Sequence, residues 1–168
     1  MRYLFFAFLL SVCPLAWSYD VTININGIIS ESGCELDSRS KSFTVTLGDV
    51  VSTSLRGQGA TSTAIPFSIF LINCNSLANA VVVTFNGTPD ATDSRLLRIF
   101  EEEGSASGVG IEILDHNNQA IAINSPAESH PLIPNADAQL QFYARYKSTG
   151  AVTAGPANAV ATFTLEYP

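Results

Sequence analysis

Behind an apolar leader the chain opens on a strict alternation. From Tyr19 to Ile29, Val21, Ile23, Ile25, Gly27 and Ile29 fall on one face, and Asp20, Thr22, Asn24 and Asn26 on the other. A period of two over this length predicts a half-buried β-strand. The period returns in Phe43–Leu47, and again at the end of the chain, where Ala161, Phe163, Leu165 and Tyr167 alternate with Thr162, Thr164 and Glu166. Pro66–Cys74 is instead almost continuously apolar, the pattern of a strand at the centre of a sandwich. Further strands are predicted at Ala80–Phe85, ended by Asn86-Gly87, and at Leu96–Phe100, Val109–Leu114, Ala120–Ile123, Leu140–Tyr146 and Ala159–Tyr167. Asp115-His-Asn-Asn118 has the composition of a hairpin turn. Gly57–Ala64 and Glu101–Gly108 read as loops, and no helical period is sustained anywhere. Many short strands at regular spacing predict one all-β domain, a sandwich or barrel.

Residues 1–18 read as a secretory signal peptide. Arg2 supplies the positive start, Leu4–Val12 the apolar run, Pro14 the break and Ala16-Trp-Ser18 a small-x-small cleavage site. The run is too short for a membrane span, which takes ~20 apolar residues. Leu10–Cys13 as a lipidation box is the competing reading, disfavoured by Val12 before the cysteine and Pro14 after it. Cleavage after Ser18 leaves 150 residues, enough for one domain with a sizeable core.

The leader carries away the chain's one Met and one Trp, and leaves seven basic side chains against fifteen acidic ones. So acidic a chain is not built to hold phosphates, and no nucleic acid is expected as a partner. Two cysteines remain, Cys34 and Cys74. In an exported chain an even pair reads as a disulfide. Closing a loop of this length is worth about 4 kcal/mol in the chain-entropy model.

Catalytic signatures are missing. A nucleophile elbow in the Gly104–Gly108 stretch would need serine where Ala106 stands. Glu101, Glu102 and Glu103 are adjacent acids in a loop, the pattern of a solvated face rather than of opposed catalytic carboxylates. Two isolated histidines and two cysteines lack metal-ligand spacing, and His116 and His130 are expected at the surface. Asn86-Gly-Thr88 matches a glycosylation sequon, but Gly87 after Asn86 accounts for it as a turn. No enzyme activity and no cofactor are expected.

The blocks together resemble the pilin subunits of chaperone–usher fimbriae, in particular the type 1 fimbrial family, over the whole mature chain. They are the alternating strand ending in Asn26-Gly27, then Ser32-Gly33-Cys34, Phe43-Thr-Val-Thr-Leu-Gly-Asp49, Gly59-Ala60 with Pro66-Phe67, and Ile69–Cys74. Later come Gly108–Asp115, Phe142–Tyr146 and an ending with Gly155 fourteenth from the last residue and Tyr167 penultimate.

The resemblance implies an incomplete immunoglobulin-like β-sandwich lacking its seventh strand, completed by donor-strand exchange. Residues 19–30 are then an N-terminal donor extension, with Val21, Ile23, Ile25, Gly27 and Ile29 as its groove-facing positions, and 31–168 the pilin domain. Gly155, Ala161, Phe163, Leu165 and Tyr167 belong to the strand that lines the acceptor groove. The implied partners are a periplasmic pilus chaperone, an outer-membrane usher and neighbouring pilin subunits. The implied destination is the cell-surface pilus, reached through the periplasm, and the implied role is adhesion.

From periodicity alone the strand at 19–29 is an ordinary first strand on its own core; the resemblance reverses that reading. Burying its four aliphatic side chains in a partner is worth roughly 6–12 kcal/mol as an upper figure. Thr22–Gly27 and Phe163–Tyr167 look closer to minor tip-linker subunits, while Ala144-Arg-Tyr146 and Thr149-Gly-Ala151 are similar to major shaft pilins. The chain departs from the family in ending on Pro168, which lacks an N–H for the tip of the groove. A reading from another class, a free-standing secreted sandwich that binds carbohydrate, would call for displayed aromatic residues, and no tryptophan survives cleavage.

Overall fold

The structure is a computed structural model and describes residues 33–168. The expected signal peptide, the donor extension and its positions Val21, Ile23, Ile25, Gly27 and Ile29 lie outside the described residues.

Among the described residues the chain forms nine strands and two 3-10 turns, Ser38–Ser40 and Ser52–Leu55. The strands are β1 (Glu35–Leu36), β2 (Ile65–Ile72), β3 (Ala80–Asn86), β4 (Leu97–Arg98), β5 (Ser107–Leu114), β6 (Ala120–Ile121), β7 (His130–Pro131), β8 (Ala138–Thr153) and β9 (Thr162–Glu166). One sheet runs β1-β2-β8-β5-β4, with β6 added to β5; the other runs β7-β3-β9. All pairings are antiparallel. Strand β8 is longer than its apolar pattern implied. Its first half pairs with β2, and its run from Tyr143 onward pairs with β5.

The core fills the space between the sheets, as alternation requires. Ile69 and Leu71 of β2, Val81, Val83 and Phe85 of β3, Phe142 of β8 and Phe163 of β9 are fully buried. Phe85 meets Phe142 edge-on with ring centroids 5.0 Å apart. Cys34 and Cys74 form the disulfide, which ties the chain before β1 to the end of β2. The Asp115 turn forms as expected: Asp115 Oδ1 accepts from the amides of Asn117 and Gln119 at 2.8 Å, and Asn118 takes the positive φ of 61°.

Three expectations need correction. Strand β2 is not sealed on both faces: Pro66 is exposed and Phe70 half-buried beneath the Arg39 guanidinium, 4.3 Å from the ring. Phe43–Leu47 is not a ladder strand. Phe43, Val45 and Leu47 do turn inward and Thr44 and Thr46 outward, but residues 42–50 make no backbone-to-backbone hydrogen bond with another described residue. Side-chain packing, such as Phe43 on Phe67 at 5.9 Å, holds this segment instead. His116 is exposed as expected, but His130 is only 9% exposed. Its ring stands edge-on to Phe142 at 5.5 Å and lies 5.1 Å from His116. Polar neighbours in sequence concealed this, because the two-residue strand β7 turns His130 inward beside Val81.

The outer face of the larger sheet holds a charge cluster. Glu112 is buried, with Arg145 and Lys147 each 2.6 Å from its carboxylate. Burial pushes the Glu112 carboxyl up, but the hydrogen bonds from Lys147 and Arg145 outweigh it and hold the group below its ordinary range. Glu101, Glu102 and Glu103 are exposed, as their run implied.

Candidate strand-acceptor groove

Among the described residues strand β9 is bonded on one edge only. Val82–Asn86 of β3 pair with Thr162–Glu166, and residues 159–167 make no other backbone-to-backbone bond with a described residue. An open edge of this kind is a template for another strand. Its apolar face is buried at the start and less so toward the end: Ala161 and Phe163 are buried, Leu165 and Tyr167 half-buried.

Upstream of β9 the chain walls a cavity of about 470 Å³. Residues 152–158 form one wall and residues 44–50 with Ser52 and Leu55 the other, over a floor that includes Val109 and Tyr146. The Tyr146 hydroxyl donates to the Ala157 carbonyl at 3.1 Å, tying floor to wall. Burial, joined by the negative charge of Asp49, raises the Tyr146 phenol above its ordinary pKa and keeps it neutral.

Gly155 sits where the wall crosses the 104–106 loop. A Cβ there would run into the Gly104 carbonyl and the Ala106 amide. That close approach lets the Ala106 amide donate to the Pro156 carbonyl at 2.9 Å. At the far end of β9, the Tyr167 ring covers Gly33, and its hydroxyl donates to the Cys34 carbonyl at 3.3 Å. The finish of β9 is thus closed over the disulfide, while Val50 and Asn158 line the cavity near its start.

Of the expected groove residues, the structure places Gly155 on the cavity wall and Ala161, Phe163, Leu165 and Tyr167 along β9, which continues that wall. The opposite wall and the floor were not assigned from sequence. The Phe43–Asp49 block was legible as an alternating run, but nothing in its pattern says that its backbone bonds no other described residue. Chemically the site offers a cavity of mixed lining, apolar at Val45, Leu47, Val109 and Val152 and polar at Thr44, Thr46, Asp49 and Asn158, flanked by main chain that makes no backbone bond with another described residue. It suits an extended apolar strand, added edge-on. Among the described residues no group of three or more His, Cys, Asp or Glu side chains could hold a metal ion.

An immunoglobulin-like sandwich short of one strand is the fold of pilin subunits. The family model described as "Fimbrial protein" matches residues 23–168. The chain is 40% identical over 156 residues to the uncharacterized fimbrial-like protein YdeS of Escherichia coli K12, covering 90% of this chain and 89% of that one. It is 37% identical over 150 residues to the type-1 fimbrial protein A chain of the same strain, covering 87% and 82%. A solved structure of the antigen and type I fimbria protein BPSL1626 of Burkholderia pseudomallei is similar with a TM-score of 0.64 at 34% identity, over 88% of this chain and 95% of that one. The P pilus rod subunit PapA shares the fold with a TM-score of 0.68 at 22% identity, over 82% and 100%. The chain belongs to the fimbrial protein family. It is a non-enzymatic structural subunit, exported and assembled with other pilin subunits into surface pili.

Proposed function

We propose that the chain is both donor and acceptor in donor-strand exchange. Residues 1–18 are removed on export, residues 19–30 leave the subunit to fill the groove of a neighbour, and residues 31–168 form the domain that accepts a strand in turn. In the donor, Val21, Ile23, Ile25 and Ile29 supply apolar side chains, and Gly27 lets the two backbones approach closely. In the acceptor, Gly155, Ala161, Phe163, Leu165 and Tyr167 define one side of the trough. The observation that carries this reading is that, among the described residues, one edge of β9 and the 43–50 segment across the cavity make no backbone-to-backbone bond. A sandwich with such a gap needs a cover before assembly, and a periplasmic chaperone serves as that cover until an outer-membrane usher exchanges it. Donation from one subunit to the next is heterologous and does not close on itself, so it yields a filament.

Within the pilus, the Thr22–Gly27 and Phe163–Tyr167 patterns favour a minor linker near the tip. A shaft subunit is the second reading, favoured by the Ala144-Arg-Tyr146 and Thr149-Gly-Ala151 patterns. The test of the shared claim is periplasmic expression of residues 19–168 with and without the cognate chaperone. Soluble subunit is expected only with the chaperone. A stable soluble monomer without one would overturn the reading.

A further inference from the structure

Among the described residues, four large apolar side chains are left exposed: Val51 at 70%, Leu77 at 65%, Phe100 at 45% and Ile133 at 75%. Single exposed apolar residues are ordinary, but these four fall in pairs at opposite poles of the sandwich. Val51 does not line the cavity but stands exposed between Val50 and Ser52, which do, and the Phe100 amide donates to the carbonyl of Asn158, another lining residue, at 2.7 Å. Leu77 and Ile133 lie at the pole where the described chain begins. There the Asn75 amide donates to the Gly33 carbonyl at 3.1 Å, and Asn75 Oδ1 accepts from the Leu77 amide at 3.0 Å. The loop bearing Ile133 is fastened to the same place, by Leu132 to Asn79 at 2.8 Å and Asn135 to Asn75 at 3.5 Å.

Chain length then fixes what must face this pole. Only residues 31 and 32 separate the donor segment from Gly33, and fully extended they bridge about 11 Å. The end of the acceptor's groove therefore lies within that distance of Gly33. Tyr167 covers Gly33 at the finish of β9, which leaves the start of that strand, where Asn158 bonds Phe100 and Val50 lines the cavity, as the end to face the donor's pole. We infer that the Leu77–Ile133 pole is a second interface, docking against the apolar mouth of the groove that receives this subunit's own N-terminal strand. The occupant is the acceptor subunit, and the matching chemistry is the apolar rim that Val51 and Phe100 provide in this chain. The inference rests on the donor-strand reading. The donor strand is the tether; the pole-to-mouth contact sets how stiffly one subunit stands on the next.

The experiment compares fibres grown from the chaperone-bound mature chain, with persistence length read by electron microscopy. Leu77→Ser with Ile133→Ser is expected to leave fibre yield unchanged and to lower persistence length about twofold or more, since relative motion is the default for units without a sizeable apolar contact. Val51→Ser with Phe100→Ser should do the same, and all four substitutions together should add little to either pair. These side chains are exposed, so retained chaperone binding by each variant shows that its fold is intact. Unchanged persistence length in both double variants would overturn the second interface while leaving strand donation standing. Normal fibres from Ile25→Asp would instead overturn strand donation, and this inference with it.

Discussion

At the level of single residues, His130 shows how context overrides local composition. Ser129 and Glu128 precede it and Pro131 follows, a polar, turn-like setting that points outward. The ring nevertheless packs on Phe142 in the core. Burial pushes its pKa below the ordinary 6.5, helped by neighbouring His116, with Asp115 and Glu128 pulling the other way. A depressed histidine binds its proton more readily when unfolded. The stability it contributes is therefore complete above the unfolded value and declines as pH falls below 6.5. NMR titration of the chaperone-bound chain should give His130 a midpoint below 6.5, and a midpoint at or above it would contradict this packing. Glu112 works in the same direction at lower pH, since its carboxylate must stay ionised to hold Arg145 and Lys147.

At the level of elements, the strands whose apolar face packs into the core were the legible ones. Ala80–Phe85, Val109–Leu114 and the last strand appear close to where alternation puts them, because an inward-facing apolar residue at every second position has only one stable home. The Phe43–Leu47 run shows the limit. Its side chains alternate as a strand's do, but pairing depends on a partner that pattern alone does not reveal. The sequence pointed to Gly155 and Tyr167, which the structure places on the cavity lining and over Gly33, but not to the facing segment 44–50, for the same reason. The Cys34–Cys74 link belongs at this scale too, since it pins β1 and the root of the N-terminal segment to β2. Cys34→Ser with Cys74→Ser should cost about 4 kcal/mol, read as a lower urea midpoint of the assembled fibre. An unchanged midpoint would show that core packing alone holds this end.

At the level of the whole molecule, the parts form one asymmetric unit of assembly. One pole carries an open cavity beside the exposed edge of β9; the other carries the disulfide, the Tyr167 cover and the start of the described chain. Within the domain, no buried side-chain nitrogen or oxygen among the described residues lacks a hydrogen-bond partner. Among the described residues the main chain without a backbone partner lies along one edge of β9 and in residues 42–50, where the proposed incoming strand would bond. The most direct test places a photo-crosslinking side chain at position 25 and mixes isotopically light and heavy chains before assembly. Strand donation predicts crosslinks between chains, from position 25 to residues 43–50 or 152–167 of a neighbour. Crosslinks confined to a single chain, or mapping elsewhere on the neighbour, would contradict it.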